Sequence, residues 1–201
     1  MINKIIAKTD GIAYCKSDFY TTCDILHSSQ YEFVNGINEL VGEIDSGIWG
    51  ISYILSMYKN KPKDFTLYNT PEIIVDDMLV SIGDFVKCSC YMDQSYHLFS
   101  TKQSVRKMVE SGIRKTKINF LPEDIRNLFL ISQDRFERPI SNTGHECFKA
   151  MAAISYCYGK QVFCFPWMSK IRFSSYHRNI TDLLEILERL NIVAILPLGD
   201  S

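Results

Sequence analysis

The chain has 201 residues, enough for one domain with a sizeable core, and 46% of them are hydrophobic, which excludes a disordered protein. Its 22 Lys and Arg against 23 Asp and Glu leave a net charge of -1, so no overall field draws it to nucleic acid or to an anionic membrane. No apolar run reaches the roughly 18 to 20 residues that cross a bilayer, and the N-terminal stretch Met1 to Lys8 lacks the apolar core of a signal peptide.

Taken in chain order, the first clear unit begins at Gly36. Ile37-Asn38-Glu39-Leu40-Val41 is a short semi-apolar run ended by Gly42, and Ile48 to Tyr58 is apolar and long enough for a buried helix. Between them, Gly42-Glu43-Ile44-Asp45-Ser46-Gly47 has two glycines at the spacing of a phosphate-binding loop, which predicts strand, loop and helix over 37–58. The chemistry of a working loop is missing. Such a loop follows its second glycine with Lys, which reaches the β/γ-phosphates, and then with Ser or Thr, whose hydroxyl holds Mg²⁺. Here those slots hold Ile48, which has no charge, and Trp49, a poor ligand for a hard cation.

Lys59-Asn60-Lys61-Pro62-Lys63-Asp64 breaks the helix, and 65–91 reads as short strands with turns at Asn69-Thr70-Pro71 and Gly83-Asp84. From Ser104 to about Phe136 the pattern is helical, interrupted at Asn119-Phe120-Leu121-Pro122, and Pro122-Glu123-Asp124 suits the first turn of a second helix. Glu146 to Tyr158 is predicted as a third helix closed by Gly159, followed by a buried strand over Gln161 to Phe165 that Pro166 stops. Asp182 to Leu190 carries a helical stripe at 183, 184, 186, 187 and 190, and Ile192 to Leu196 is predicted as a buried strand ended by Pro197. No repeat or linker divides the chain, so one α/β domain over 1–201 is expected. The seven cysteines (15, 23, 88, 90, 147, 157, 164) are odd in number, and Cys88-x-Cys90 has no second pair at zinc spacing, which predicts reduced, buried thiols and no metal site.

The order of these elements, with several motif remnants, resembles the nucleotide-binding domains of ATP-binding cassette (ABC) transporters over most of the chain. Tyr31-Glu32-Phe33-Val34-Asn35-Gly36 looks like the family's strand and turn before the loop, and Phe19-Tyr20 falls about where the family stacks an aromatic ring on adenine. Cys90-Tyr91-Met92-Asp93-Gln94, followed by His97-Leu98-Phe99 and Ser104-Val105-Arg106, is similar to the family's strand-to-glutamine segment, whose glutamine senses the γ-phosphate. Arg138 to Glu146 resembles the Leu-Ser-Gly-Gly-Gln/Glu signature, with Asn142 in the Leu slot, Thr143 in the Ser slot, Gly144 and Glu146 kept, and His145 in place of the second Gly.

What the resemblance implies is a P-loop NTPase-like α/β core, a mostly parallel sheet flanked by helices, with a helical subdomain at about 104–145. It implies vestigial nucleotide-binding positions at Tyr20, Gly42, Ser46, Gly47 and Gln94, signature-like positions at Thr143, Gly144 and Glu146, and no catalytic or metal-binding residue. The strand at 161–165 normally ends in Asp-Glu-Pro, but Pro166 and Trp167 stand where the Mg²⁺-positioning Asp and the water-polarising Glu belong. The D-loop aspartate aligns with Phe173 and the switch histidine with Pro197 or Leu198. Phosphoryl transfer rests on placed charge, so a chain without these groups is expected to bind ATP weakly or not at all and to leave it uncleaved. Trp49, Phe165, Trp167 and Phe173 would fill the volume that nucleotide and metal occupy in active relatives.

The implied function is that of a pseudo-ATPase with a degenerate Walker A loop, cytoplasmic or peripheral on the inner face of the cell membrane, and the non-hydrolysing partner in an ABC transport complex. It would dock on an ABC permease or other membrane subunit through the region after Gln94, and pair with a competent ABC ATPase subunit or with itself as a dimer; nucleic acid is not an expected partner. Two other readings stay open: an ABC ATPase that retains ATP binding and slow hydrolysis, and a soluble regulatory or scaffold protein using the ABC fold.

Overall fold

Two long runs dense in β-branched and aromatic residues, with Gly11 the only glycine before Gly36, make the first third of the chain a strand-forming region. In the computed structural model, which describes residues 2–16, 21–42, 47–57, 66–67, 70–94, 96, 98–99 and 102–199, they form β1 (Lys4–Lys16) and β2 (Thr21–Val34). These pair antiparallel from Lys4↔Val34 to Lys16↔Thr21, with a register shift between Thr9 and Gly11. The short β4 (Thr66–Leu67) pairs with β1, as does β5 (Glu72–Val75), and β6 (Met78–Val80) completes the order β2-β1-β5-β6. Asp76 and Asp77 make the β5–β6 turn with φ of 46° and 65°, the doubly left-handed backbone that a two-residue hairpin requires. The Asp76 carboxylate also accepts from the Asn3 and Lys4 N–H groups at 3.0 and 2.9 Å, locking that turn to the start of β1.

The second sheet is wholly parallel. Its strands are β3 (Gly36–Val41), β7 (Ser89–Tyr91), β8 (Val162–Cys164) and β9 (Val193–Leu198), in the order β3-β9-β8-β7. Parallel strands need crossovers, and helices supply them: α1 (Ile48–Met57), α2 (Ile82–Cys88), α6 (Cys147–Cys157) and the 20-residue α7 (Lys170–Arg189). Between β7 and α6 lie α3 (Val105–Thr116), α4 (Pro122–Leu128), α5 (Gln133–Phe136) and two 3-10 turns, Ile140–Asn142 and Gly144–Glu146. The core is α6 with the parallel sheet beneath it: Ala150, Met151, Ala152, Ala153, Ile154 and Cys157 are all buried, as are Phe163, Cys164, Ala194 and Ile195. Lys149 is buried among them and is held by the Asp182 carboxylate of α7 at 2.8 Å.

The α/β core and the strand and helix expected within 37–58 stand, with 43–46 and 58 outside the described residues, and three local expectations are corrected. Gly83-Asp84 is not a turn, because Ser81 caps α2 by accepting from the Asp84 N–H at 3.1 Å, and Ile82, Phe85 and Val86 form the buried stripe of a helix. The last helix begins twelve residues before Asp182, since the sequence of its first half carries no apolar stripe to read. Pro197 does not end the final strand but lies inside it. Among the described residues the parallel sheet has four strands and the antiparallel sheet five, an arrangement consistent with the expected fold class. Among the described residues no helix is long and apolar enough to cross a membrane, and no cluster of His, Cys, Asp or Glu is arranged to hold a metal ion.

Candidate functional site

Open α/β sheets bind ligands in the crevice beyond the carboxyl ends of their strands, and here four exits meet: Gly42 after β3, Gly199 after β9, Phe165 to Ser169 after β8, and Met92 to Gln94 after β7. Gly42 is buried and donates its N–H to the Leu198 carbonyl at 2.9 Å. Gly47, at φ +93°, accepts from the Ile51 N–H at 3.1 Å and so opens α1. Both glycines of the candidate loop are therefore where a strand-to-helix turn needs them. Ser46 and the rest of 43–46, Tyr20 with Phe19, and His97 lie outside the described residues, as does the side chain of Trp49. Ile48 is buried at the helix start.

The exit of β8 explains how a proline sits in a central strand. Phe165 donates to the Ile195 carbonyl at 2.9 Å and Val193 to the Gln161 carbonyl at 3.0 Å, a ladder whose next rung would run from residue 197 to the Phe165 carbonyl. Proline has no N–H for that rung. The Ser52 hydroxyl of α1 donates to the Phe165 carbonyl instead, at 2.6 Å, and Ser56 donates to the Ser52 carbonyl at 2.8 Å. Ser52 is thus the residue that ties the helix after the glycine loop to the strand where hydrolytic carboxylates would sit. The spacing of Ser52 and Ser56, one helical turn apart on an apolar helix, was the signal available for it.

Beyond Phe165 the chain crosses back over the sheet. Met168 bridges to Leu198, its N–H donating to the Pro197 carbonyl at 3.1 Å and its carbonyl accepting from Gly199 at 2.9 Å. This brings the half-buried Trp167 to the end of β3, where its indole Nε1–H donates to the Gly42 carbonyl at 3.1 Å. The ring lies so close to Gly199 that a Cβ there would approach its Cζ2 to 2.7 Å, which is why position 199 is glycine. Pro166 is buried. Asp93 is the only ionisable residue among the described residues at these exits. Below them, burial pushes the Cys90 thiol up to about 12 and raises Cys164 and Tyr96 well above their ordinary values, so the sheet's interior carries neutral groups.

Gln94 is exposed in the turn after β7, a segment anchored by buried Tyr96, whose hydroxyl donates to the Ser89 carbonyl at 3.3 Å. It shares an end of the sheet with Gly42 and Gly47. The signature-like residues are placed differently from their expected use. Thr143 is wholly buried, and its hydroxyl donates to the Ile140 carbonyl at 2.7 Å, closing the turn inside its own fold instead of facing outward. Gly144 is exposed at φ +56°, and a Cβ on it would lie 2.7 Å from Arg135 Nη1. His145 is exposed and holds the position where the motif has glycine. Glu146 accepts from the Ser132 N–H and hydroxyl at 2.9 and 3.1 Å, pinning the start of α5. Pro197 and Leu198 lie within β9 and Phe173 within α7.

No family model and no curated protein matches the sequence significantly. Solved structures match it over nearly its whole length. A Pyrococcus furiosus protein described as an ABC transporter ATP-binding protein is 13% identical with a TM-score of 0.62, the match covering 98% of this chain and 90% of that one. The ATP-binding cassette MJ0796, in a dimeric post-hydrolysis state bound to ADP and Pi, is 8% identical at a TM-score of 0.62, covering 98% and 88%. A bacterial Atm1-family ABC exporter with ATP bound is 10% identical at 0.58, covering 99% of this chain and 35% of the exporter. At such identities the likeness is one of fold, and the fold is that of an ABC ATP-binding domain.

Proposed function

We propose that this chain is a pseudo-ATPase of the ABC type, a non-hydrolysing subunit that works through its surfaces in a transport complex. The observation that carries the reading is the Trp167 indole hydrogen-bonded to the Gly42 carbonyl, an apolar ring at the strand exit where hydrolysis needs carboxylates, set against a glycine loop followed by Ile48 instead of Lys. Such an edge supplies no charge to offset a triphosphate beyond backbone N–H groups and one helix terminus. Exposed Gln94 remains available to a membrane subunit. A second ATP-binding subunit is the other expected partner, as in the dimer of MJ0796.

The test is turnover and binding on the purified protein. Mg²⁺-dependent ATP hydrolysis should be absent and calorimetric ATP binding weak or nil, and Ile48→Lys alone should not restore turnover because Pro166 and Trp167 still leave metal and water unplaced. Micromolar, Mg²⁺-dependent ATP affinity in the unaltered chain would overturn the reading in favour of a slow ATPase. One observation favours the scaffold reading over nucleotide-dependent pairing: the Thr143 hydroxyl is turned inward, so this chain offers no signature hydroxyl to a partner's ATP. Co-purification with a partner whose ATPase rate is unchanged by Thr143→Val would support it.

A further inference from the structure

The chain's net charge of -1 hides a local segregation: residues 102–121 contain Lys102, Arg106, Lys107, Arg114, Lys115 and Lys117 but a single acid, Glu110. Charge is felt only over about 8 Å at physiological salt, so a surface meets this segment and not the net charge. We propose that the outer face of α3, its C-terminal end and the turn after it dock on an anionic lipid bilayer.

Four cations point outward, Lys107, Arg114, Lys115 and Lys117, and the first two share an open groove along α3 with Gln103, Glu110 and Ser111. The opposite face of the helix is committed to the core through Val105, Met108, Val109 and Gly112, so the basic face has a fixed direction. Directly after it come Phe120 and Leu121, 41% and 67% exposed. They are held outward by their surroundings. The Phe120 ring meets Tyr156 edge-on at 6.4 Å, and the Leu121 N–H donates to Asp124 Oδ2 at 2.9 Å. Glu123 pairs with Arg106 and Arg126, and Glu137 with Arg106, so of the nearby acids Glu110 alone in the groove offsets part of the charge of Lys107 and Arg114. A rigid pair of large apolar side chains beside several cations is the chemistry of an interfacial anchor, in which the cations meet anionic headgroups while the apolar tip enters the acyl boundary. Nucleic acid or an acidic peptide would satisfy the cations and leave Leu121 in water.

The inference is independent of nucleotide chemistry and is tested on the full chain with protein-free vesicles. Sedimentation with phosphatidylcholine vesicles should leave the protein in solution, and inclusion of phosphatidylglycerol should pellet it at low salt and release it at high salt. Lys107→Ala and Arg114→Ala should each weaken binding about fivefold. Phe120→Ser combined with Leu121→Ser should weaken it by about tenfold or more. Circular dichroism checks folding, and if the apolar pair fails to fold, Lys107→Glu with Arg114→Glu, both on exposed positions, decides the matter by abolishing the binding. No binding to anionic vesicles would overturn the proposal. So would binding that ignores the Phe120 and Leu121 substitutions and is competed equally by polyuridylate, the mark of a general polyanion site.

Discussion

In the parallel sheet the thiols of Cys90 and Cys164 are buried and neutral and the connections to the flanking chain are made by hydroxyls and an indole, whereas the helices between β7 and α6 are joined at the surface by ionised pairs. Cys90, Cys164, Ser52, Ser56 and Trp167 belong to the first set, and Arg106 with Glu123 and Glu137, and Arg126 with Glu123, to the second. The two regions differ in what their side chains bond. At the sheet edge a large side chain, Trp167, bonds to the carbonyl of Gly42. In the signature-like segment a small side chain is kept but satisfies its own backbone, through Thr143 and Ile140. One region therefore depends on side-chain volume, the other on local hydrogen bonds.

The sharpest way to break this contrast is Trp167→Ala. It removes a half-buried ring and the bond to Gly42, and should cost about 2–3 kcal/mol in urea unfolding. Trp167→Phe, which keeps most of the ring, should cost about 1 kcal/mol. A neutral outcome for both would show that the indole is not part of the packing.

Next in size is the alkaline limb. Burial holds Cys90 and Cys157 at about 12 against an ordinary 9.0, so the folded chain keeps protons that the unfolded chain releases. Stability is complete below pH 9 and should fall by about 1.4 kcal/mol per pH unit per thiol between pH 9 and 12. Cys90→Ala should remove one thiol's share of that slope, measured by unfolding at a series of pH values.

Smaller effects belong to the signature-like turn. Gly144→Ala meets both a left-handed backbone and Arg135, and should cost about 1–2 kcal/mol. Thr143→Val, which removes the bond to Ile140, should cost about 1 kcal/mol. If the Thr143 hydroxyl served a partner instead of its own turn, the isolated chain would be unaffected.

The smallest effect is on the acid side. Arg106 first, and Arg126 second, hold the Glu123 carboxyl below its usual range, so it contributes stability above pH 4.5 that is lost as pH falls further. Glu123→Gln should leave thermal stability at pH 7 nearly unchanged and flatten the acid limb below pH 4.5, and high salt should erase the difference because the pair is at the surface.

Much of the scaffold was legible because its punctuation is local. Gly42 and Gly47 bracket the loop, Pro122 opens α4, and Gly159 closes α6 at φ +77°, each a matter of one residue's allowed backbone. The helical stripe of Asp182 to Leu190 and the apolar strands were legible by periodicity, whereas the Lys170 end of α7 had no stripe and α2 was masked by a Gly-Asp pair that reads as a turn. In the candidate site, Ile48, Pro166 and Trp167 announced by residue type alone that charge was missing. The sequence by itself thus determined which groups are present at each strand exit. Only the tertiary structure decided what those groups do instead: Pro197 lies inside β9 because Ser52, brought across from α1, supplies the hydrogen bond that proline cannot; Trp167 reaches Gly42 because β9 places Met168 and Gly199 side by side; and the Thr143 hydroxyl turns inward because a 3-10 turn presents the Ile140 carbonyl to it. These are contacts between residues far apart in the chain or fixed by a turn's geometry, and a residue's own identity specifies neither.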